Sequence, residues 1–528
     1  MLSLQNVSYK HPNKDLLFET INLTVSDHQK IALIGNNGIG KSTLLKLIAN
    51  QLSPHEGQII VDARPYYIPQ IFGQYNDQTV AQSLQVEAKL KALKEILEGK
   101  VSDKNYALLN DDWSIEERCK EAMDYWQISN LDLSQKMGTL SGGQKMKVLL
   151  AGIFIHQSGL VLLDEPSNHL DISGRTLLYR YIESTKSSLV IVSHDRKLLN
   201  LLNTVCELGK HGISVYGGNY EFYALQKQIE NNALAQDIQS KEKALRKARK
   251  KEQETLERQQ KLDNRGKKKH AKAGTPKVMM NKMKNDSENS TSKIKSVHAD
   301  KIGGISRELQ VLRSSQPDID KMKFDFDNSA LHQGKIMFTA TNINFSYSTE
   351  PLWSENLNFQ IRSGERYALK GLNGSGKTTL IKLILGELEP QTGAIYRASA
   401  RSVYIDQDFS LIDNTLNVYT QAQRFNLSSL QEHEIKIRLN RFLFPQNDWD
   451  KPCSALSGGE RMRLMICCLN IKNQSPDIMV LDEPTNNLDI QNIEILTTAI
   501  NEYRGTLIVI SHDEYFLEQL NAEQTIEL

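Results

Sequence analysis

The chain has 528 residues, with 64 Lys+Arg against 63 Asp+Glu and a hydrophobic fraction of 39%. That length allows two to four domains of roughly 100–200 residues with ample core. No run approaches the roughly 18 consecutive apolar residues of a membrane span, and residues 1 to 7 show no basic or apolar targeting segment, so no membrane partner and a cytoplasmic location are expected. Five cysteines without ligand spacing read as reduced, core-filling thiols.

From the N-terminus, Leu2 to Lys10 alternates like a strand and carries Tyr9. An apolar run over 31–34 leads into Gly35, Asn36, Asn37, Gly38, Ile39, Gly40, Lys41 and Ser42, followed by Thr43 and a helix-like run over 44–48. This is G-x-x-x-x-G-K-[ST] between a strand and a helix, the setting that marks a phosphate-binding loop. The glycines let backbone N–H groups converge on an anion, and the helix start adds positive character. Lys41 would reach the β- and γ-phosphates, and Ser42 would ligate Mg²⁺. Further on, a strand over 67–70 ends in Gln70, and an amphipathic segment near 83–106 reads as a short arm or a helical subdomain. Then come Ser141, Gly142 and Gly143 after Leu140, a strand ending in Asp164 and Glu165, and a strand leading to His194 and Asp195.

Residues 221–335 differ in composition. Gln226 to Asp263 reads as one long helix with a sparse apolar seam of Ile229, Ile238, Leu245, Leu256 and Leu262. A break is expected over 264–270. Thr275 and Pro276 then look like a helix start, with Ile302, Ile305, Leu309 and Leu312 as the return seam and a weak point at Gly303 and Gly304. Together these predict an antiparallel helical hairpin. From Lys241 to Lys284 there are 17 Lys/Arg and 5 Asp/Glu, a balance of +12 in a chain whose total is +1. A block so one-sided usually meets phosphate.

Every motif then recurs. Tyr347 ends a strand-like run. Gly371, Leu372, Asn373, Gly374, Ser375, Gly376, Lys377, Thr378 and Thr379 repeat the loop. Gln407, the run Ser457, Gly458 and Gly459, the pair Asp482 and Glu483, and His512 repeat the rest. The fold class expected is α/β: two tandem P-loop domains, over 1–220 and 336–528, joined by a long α-helical hairpin linker over 221–335. Asp164 and Asp482 end apolar strands, where a carboxylate can hold Mg²⁺, with the side-chain carbonyls of Gln70 and Gln407 completing its shell. Glu165 and Glu483 are placed to activate the attacking water, and His194 and His512 to contact the γ-phosphate. Tyr9 and Tyr347 are candidates for stacking on adenine, or for the core.

These paired motifs, with Leu-Ser-Gly-Gly as the most specific, resemble an ATP-binding cassette protein across about four-fifths of the chain. Two cassettes around a long charged linker, with no membrane domain, resemble the ABC-F family. Ser167 and Asn487 depart from that family's usual threonine and histidine. The resemblance implies an ATP hydrolase in which the cassettes pair head to tail within one monomeric chain. Ser457–Gly459 would then close on ATP held by Lys41, and Ser141–Gly143 on ATP held by Lys377. It further implies a ribosome partner. The hairpin would enter the tRNA exit site towards the peptidyl-transferase centre, and Arg265, Lys267, Lys268, Lys269, Lys272 and Lys277 would contact rRNA and peptidyl-tRNA. Antibiotic protection and general relief of stalled ribosomes are the two roles open there. The ATPase subunit of a transporter is the reading from another class, and DNA binding is a third.

Overall fold

The computed structural model describes residues 1–11, 16–100, 102–272, 277–314, 334–347, 350–372, 374–427, 429–472, 475–486 and 488–528, with side chains except at 263, 266–272, 277–291 and 294. Thr275, Pro276, Asn373 and Asn487 lie outside the described residues, as do the side chains of Lys267, Lys268, Lys269, Lys272 and Lys277. Two compact units divide the chain: Met1–Tyr223 with Met322–Leu528, and Ala224–Lys321.

The first unit holds both α/β repeats. In the first repeat, six strands run in the order Tyr66–Ile68, Leu160–Asp164, Ser188–Val192, Lys30–Ile34, Thr204–Gly209, Gly212–Gly217. The first five are parallel and the last pairs antiparallel. In the second repeat, five parallel strands run Ser402–Ile405, Ile478–Asp482, Thr506–Ile510, Arg366–Lys370, Gln524–Glu527. The strands ending in Asp164 and Val192 are buried at every position, as expected where helices cover both faces of a parallel sheet. Each strand before a phosphate loop sits inside its sheet beside Ser188–Val192 or Thr506–Ile510, so the loop emerges at the carboxyl edge one strand away from the strand that ends in Asp164 or Asp482. All five cysteines are free and buried.

The structure adds a three-stranded antiparallel sheet to each repeat, in the orders Leu16–Val25, Leu2–Lys10, Glu56–Val61 and Leu357–Arg362, Ile336–Asn344, Thr392–Arg397. Alternation of period two along Leu2–Lys10 signals a half-buried strand but not its partner. Its partner Glu56–Val61 carries Gly57 (φ 84°) where the register shifts between Gln5 and Ser8, and an added Cβ there would lie 2.4 Å from the carbonyl oxygen of Asn6. The segment expected as a short arm or a helical subdomain forms two helices, Glu87–Leu97 and Asp103–Leu109. Leu93 and Leu109 are buried in the same core as Trp126, which is fully enclosed.

The second unit consists of helical hairpin segments. The helix Tyr220–Lys272 runs on into it, and Lys277–Ser314 returns. The break expected over 264–270 is absent, because a single Gly266 costs about 1 kcal/mol and the surrounding Lys and Arg favour helix. Gly303 and Gly304 are likewise helical, with open space where their Cβ atoms would be. The seam is shorter than its apolar spacing suggested. Ile229 and Leu262 are exposed, whereas Ile238, Ala248 and Leu309 are buried. Glu242 pairs with Arg313 at 2.6 Å and Lys241 pairs with Glu308 across the two helices, and Leu245 shares a groove with Leu309 whereas Leu256 shares one with Ile302, so the helices run antiparallel. No described helix is long and apolar enough to cross a membrane.

Candidate nucleotide-binding and hydrolysis sites

Each phosphate loop is shaped by glycines that no other residue can replace. Gly40 (φ 106°) and Gly376 (φ 92°) end their loops in the left-handed region, and a Cβ at Gly40 would meet Leu17 at 2.7 Å and Phe18 at 2.8 Å. A Cβ at Gly376 would meet Leu352 at 2.6 Å. Lys41 and Lys377 open the helices Lys41–Ile48 and Lys377–Leu385. Their ammonium groups are tied back to the loops. Lys41 Nζ donates to the carbonyls of Gly35 (2.5 Å) and Asn36 (3.3 Å), and Lys377 Nζ to those of Gly371 (2.8 Å) and Leu372 (2.9 Å).

A cavity of about 340 Å³ opens over the first loop. It is lined by Asn37, Gly38, Gly40, Lys41, Ser42, Thr43, Gln70, Asp164, Glu165 and His194, together with His11 and Leu17. Sequence reasoning missed His11 and Leu17. Tyr9 stands behind His11, edge-on at 5.9 Å, and Tyr347 in the second repeat is exposed, its hydroxyl 3.1 Å from Thr379 Oγ1. Gln407 lies exposed just beyond its strand Ser402–Ile405.

The residues fit a hard divalent cation. Ser42 hydrogen-bonds Asp164, Gln70 lines the same cavity, and Oδ1 of Asp164 is buried without a partner. Among the described residues no group of three His, Cys, Asp or Glu gathers, so the oxygen shell would come from Ser42, Asp164, Gln70 and substrate phosphates. This is how Mg²⁺ is usually held beside a nucleotide. Thr378 and Asp482 take the equivalent positions. Tyr67 donates to Asp164 Oδ2 at 3.4 Å and Tyr404 to Asp482 Oδ2 at 2.7 Å; these orienting tyrosines were not anticipated.

The glutamate–histidine pairs have matching geometry. Glu165 and Glu483 both adopt positive φ, 53° and 47°, a costly conformation that persists only where surroundings dictate it. Here the dictating contacts are backbone bonds of 2.8 Å from each glutamate N–H to Val192 or Ile510. Oε1 of each glutamate lies 3.3 Å from Nε2 of His194 or His512. Burial pushes Glu165 up to about 8 and Glu483 up to about 7, while Lys41 and Arg175 respectively oppose that rise. Burial likewise holds His194 well below its usual value and His512 at about 4, so both imidazoles are neutral at pH 7. Each histidine can therefore accept a hydrogen bond at one ring nitrogen while donating at the other.

A raised carboxyl pKa contributes stability that is complete below about pH 4.5 and is lost as pH rises through about 7. Nucleotide-free Glu483→Gln is thus expected to melt a few degrees above the unsubstituted chain at pH 8, with the two curves converging near pH 5. A constant offset at both pH values would contradict the buried-carboxyl origin.

Ser141 and Ser457 cap the helices Gly142–His156 and Gly458–Ile471, each hydroxyl oxygen accepting at 3.3 Å from the N–H three residues on. That leaves the hydroxyl proton free to donate outward. A Cβ at Gly459 would meet Asn492 Nδ2 at 2.2 Å, so the signature backbone lies against the helix Ile490–Glu502. The signature of the second repeat does not border the first cavity.

The sequence profile of the ABC transporter family matches residues 18–168 and 354–486, once in each repeat. The chain is also 31% identical to the putative ATP-binding protein YdiF of Bacillus subtilis over 100% of this chain and 80% of that one. This chain belongs to the ABC-F family of ATP-binding cassette proteins. It is 29% identical to the ribosome protection protein VmlR of Bacillus subtilis, covering 98% of this chain and 85% of that one. An archaeal ribosome recycling factor, solved with the ribosomal stalk protein aP1, shares the fold with a TM-score of 0.60 and 19% identity, over 99% of this chain and 87% of that one.

The two cassettes of this ABC-F chain touch through residues that motif reading did not single out. Asp489 accepts from the Asn37 N–H of the first phosphate loop at 2.9 Å. Arg196, two residues past His194, pairs with Glu494 at 3.1 Å and lies 4.3 Å above the Tyr515 ring. Lys197 reaches Glu514 at 3.0 Å. Arg175 donates to the carbonyl oxygen of His512 at 3.2 Å. Charge complementarity across the repeats was the only available sequence signal, and it has no fixed spacing. Ser167 lies 3.4 Å from Ser193 and Thr485 lies 3.4 Å from Ser511, hydroxyl to hydroxyl. The serine for threonine departure thus preserves the contact.

Proposed function

We propose that this chain is a ribosome-binding ATPase that places its basic hairpin in the tRNA exit site towards the peptidyl-transferase centre and so protects the ribosome from antibiotics acting there. The observation that carries the reading is a pair of complete cassettes joined through a helical hairpin with a +12 block over Lys241 to Lys284. Such a block attracts a polyanion by counterion release and recognises it through phosphate and shape. The likeness to VmlR supports protection as the finer role.

In this reading the phosphate loops and Lys41 and Lys377 bind ATP, and Ser42, Gln70 and Asp164, with Thr378, Gln407 and Asp482, hold Mg²⁺. The ion supplies neutralisation of charge on the phosphates. Glu165 and Glu483 orient and deprotonate water, with His194 and His512 steadying them. Ser141–Gly143 and Ser457–Gly459 close on the γ-phosphate of the opposite cassette, a charge-assisted contact that hydrolysis removes. ATP thereby favours the closed state and ADP the open one. Arg265, Lys267, Lys268, Lys269, Lys272 and Lys277 contact rRNA and peptidyl-tRNA, and the protein works as a cytoplasmic monomer.

The test has two arms. ATP-loaded protein should co-sediment with ribosomes and not with membranes. Cells expressing it should tolerate higher doses of compounds bound near the peptidyl-transferase centre. Ribosome binding without any change in susceptibility would assign the chain to general relief of stalled translation instead.

A further inference from the structure

We propose that the two ATP sites are unequal because Arg175, contributed by the first cassette, completes the second site in trans, and among the described residues the first site receives no such residue. The repeats align without gaps here. Asp171 and Asp489 each cap a 13-residue helix, Ile172–Ser184 and Ile490–Glu502, accepting at 2.8 Å from the N–H three residues on. Four positions past Asp171 stands Arg175. Four positions past Asp489 stands Ile493, which is buried.

Arg175 is held on three sides. Its Nε donates to Leu170 O at 3.2 Å, its NH1 donates to His512 O at 3.2 Å, and the same nitrogen lies 3.9 Å from Asp195 Oδ2. Asp195 is itself fixed by the Tyr179 hydroxyl at 2.6 Å, and position 179 is matched by Thr497 in the other repeat. The guanidinium side chain is 12% exposed and Asp195 8%. A buried fork of this kind is a positioning element, because its planar donors permit one geometry. It pins the backbone of the histidine whose imidazole and N–H both face Glu483. It also sets a permanent positive charge beside that pair. What the second cassette sends back is Asp489, an anion, to the N–H of Asn37.

The inference rests on Glu165 and Glu483 as the water-activating groups, and the experiment separates the two ideas. Glu165→Gln leaves the second site as the hydrolysing one, and Glu483→Gln leaves the first. Arg175→Ile, which installs the residue of the other repeat, is added to each background and steady-state ATPase is measured. With Arg175 positioning the second site, kcat falls about ten-fold or more in the Glu165→Gln background, as loss of a hydrogen bond to a charged group implies. KM changes little there, and both constants stay within about two-fold in the Glu483→Gln background. The intact first site also reports that the variant chain is folded. Arg175→Lys, which keeps the charge but not the fork, should lie between. Equal losses in both backgrounds, no loss in either, or a second site with no turnover of its own would overturn the proposal. Unreduced turnover in the Glu165→Gln/Glu483→Gln double variant would instead fail the carboxylate assignment.

Discussion

A chain carrying both Glu165→Gln and Glu483→Gln is expected to keep ATP and lose turnover by about 10²–10⁴-fold, the usual contribution of a positioned general base. The geometry makes this a narrow substitution. Each glutamate accepts from its histidine N–H through Oε2, at 3.3 Å for His194 and 3.4 Å for His512. A glutamine can present a carbonyl oxygen to that N–H and turn its amide towards the neutral imidazole. Backbone strain at φ 53° and 47° is imposed by the bonds to Val192 and Ile510, which the substitution leaves alone. Only basicity is removed. Such a chain should therefore stay ATP-bound and accumulate on ribosomes in pull-down fractions. Turnover at the unsubstituted rate would mean that these carboxylates are structural residues in a buried corner. Alanine is a poorer probe, because it vacates the space under His194 and His512 and confounds catalysis with packing.

The second large effect is expected at the hairpin. Neutralising Lys267, Lys268 and Lys269 with glutamine should flatten the salt dependence of ribosome binding by about two to three units of log K per log salt, since each released phosphate contact contributes about 0.7–0.9. At about 0.1 M salt that corresponds to roughly a hundred-fold weaker binding. Glutamine is a good helix former, so helix Tyr220–Lys272 should persist and circular dichroism should be unchanged. The decisive reading is the slope. An intercept that drops with an unaltered slope would show that these lysines meet something other than phosphate.

The family and the two phosphate loops were legible in the chain because each loop depends on residues at short, fixed spacing, whereas the pairing of Glu165 with His194 and of Glu483 with His512, 29 positions apart, was not. Gly40 must be glycine because its φ and its neighbours Leu17 and Phe18 forbid a Cβ, and that requirement is printed as a motif. Helix ends were less legible. Residues 264–270 look like a break by their glycine and charge, yet helix persists because one glycine is a small local penalty. The apolar seam misled at its ends for a related reason. Ile229 and Leu262 have the right spacing, but burial requires a partner opposite, and spacing carries no information about that.

What the sequence by itself determined is the family and the set of short motifs that occurs twice. Those are properties of contiguous backbone geometry and residue type. Only the tertiary structure decided which residues cross between repeats. Arg175 reaching His512, Arg196 reaching Glu494 and Asp489 reaching Asn37 join positions more than 290 residues apart. No local pattern encodes such pairs, because they arise only where residues distant in the chain are brought together. The repeats carry the same motifs in the same order. Their inequality, arginine in one and isoleucine in the other, acquires a meaning only when that surface is seen.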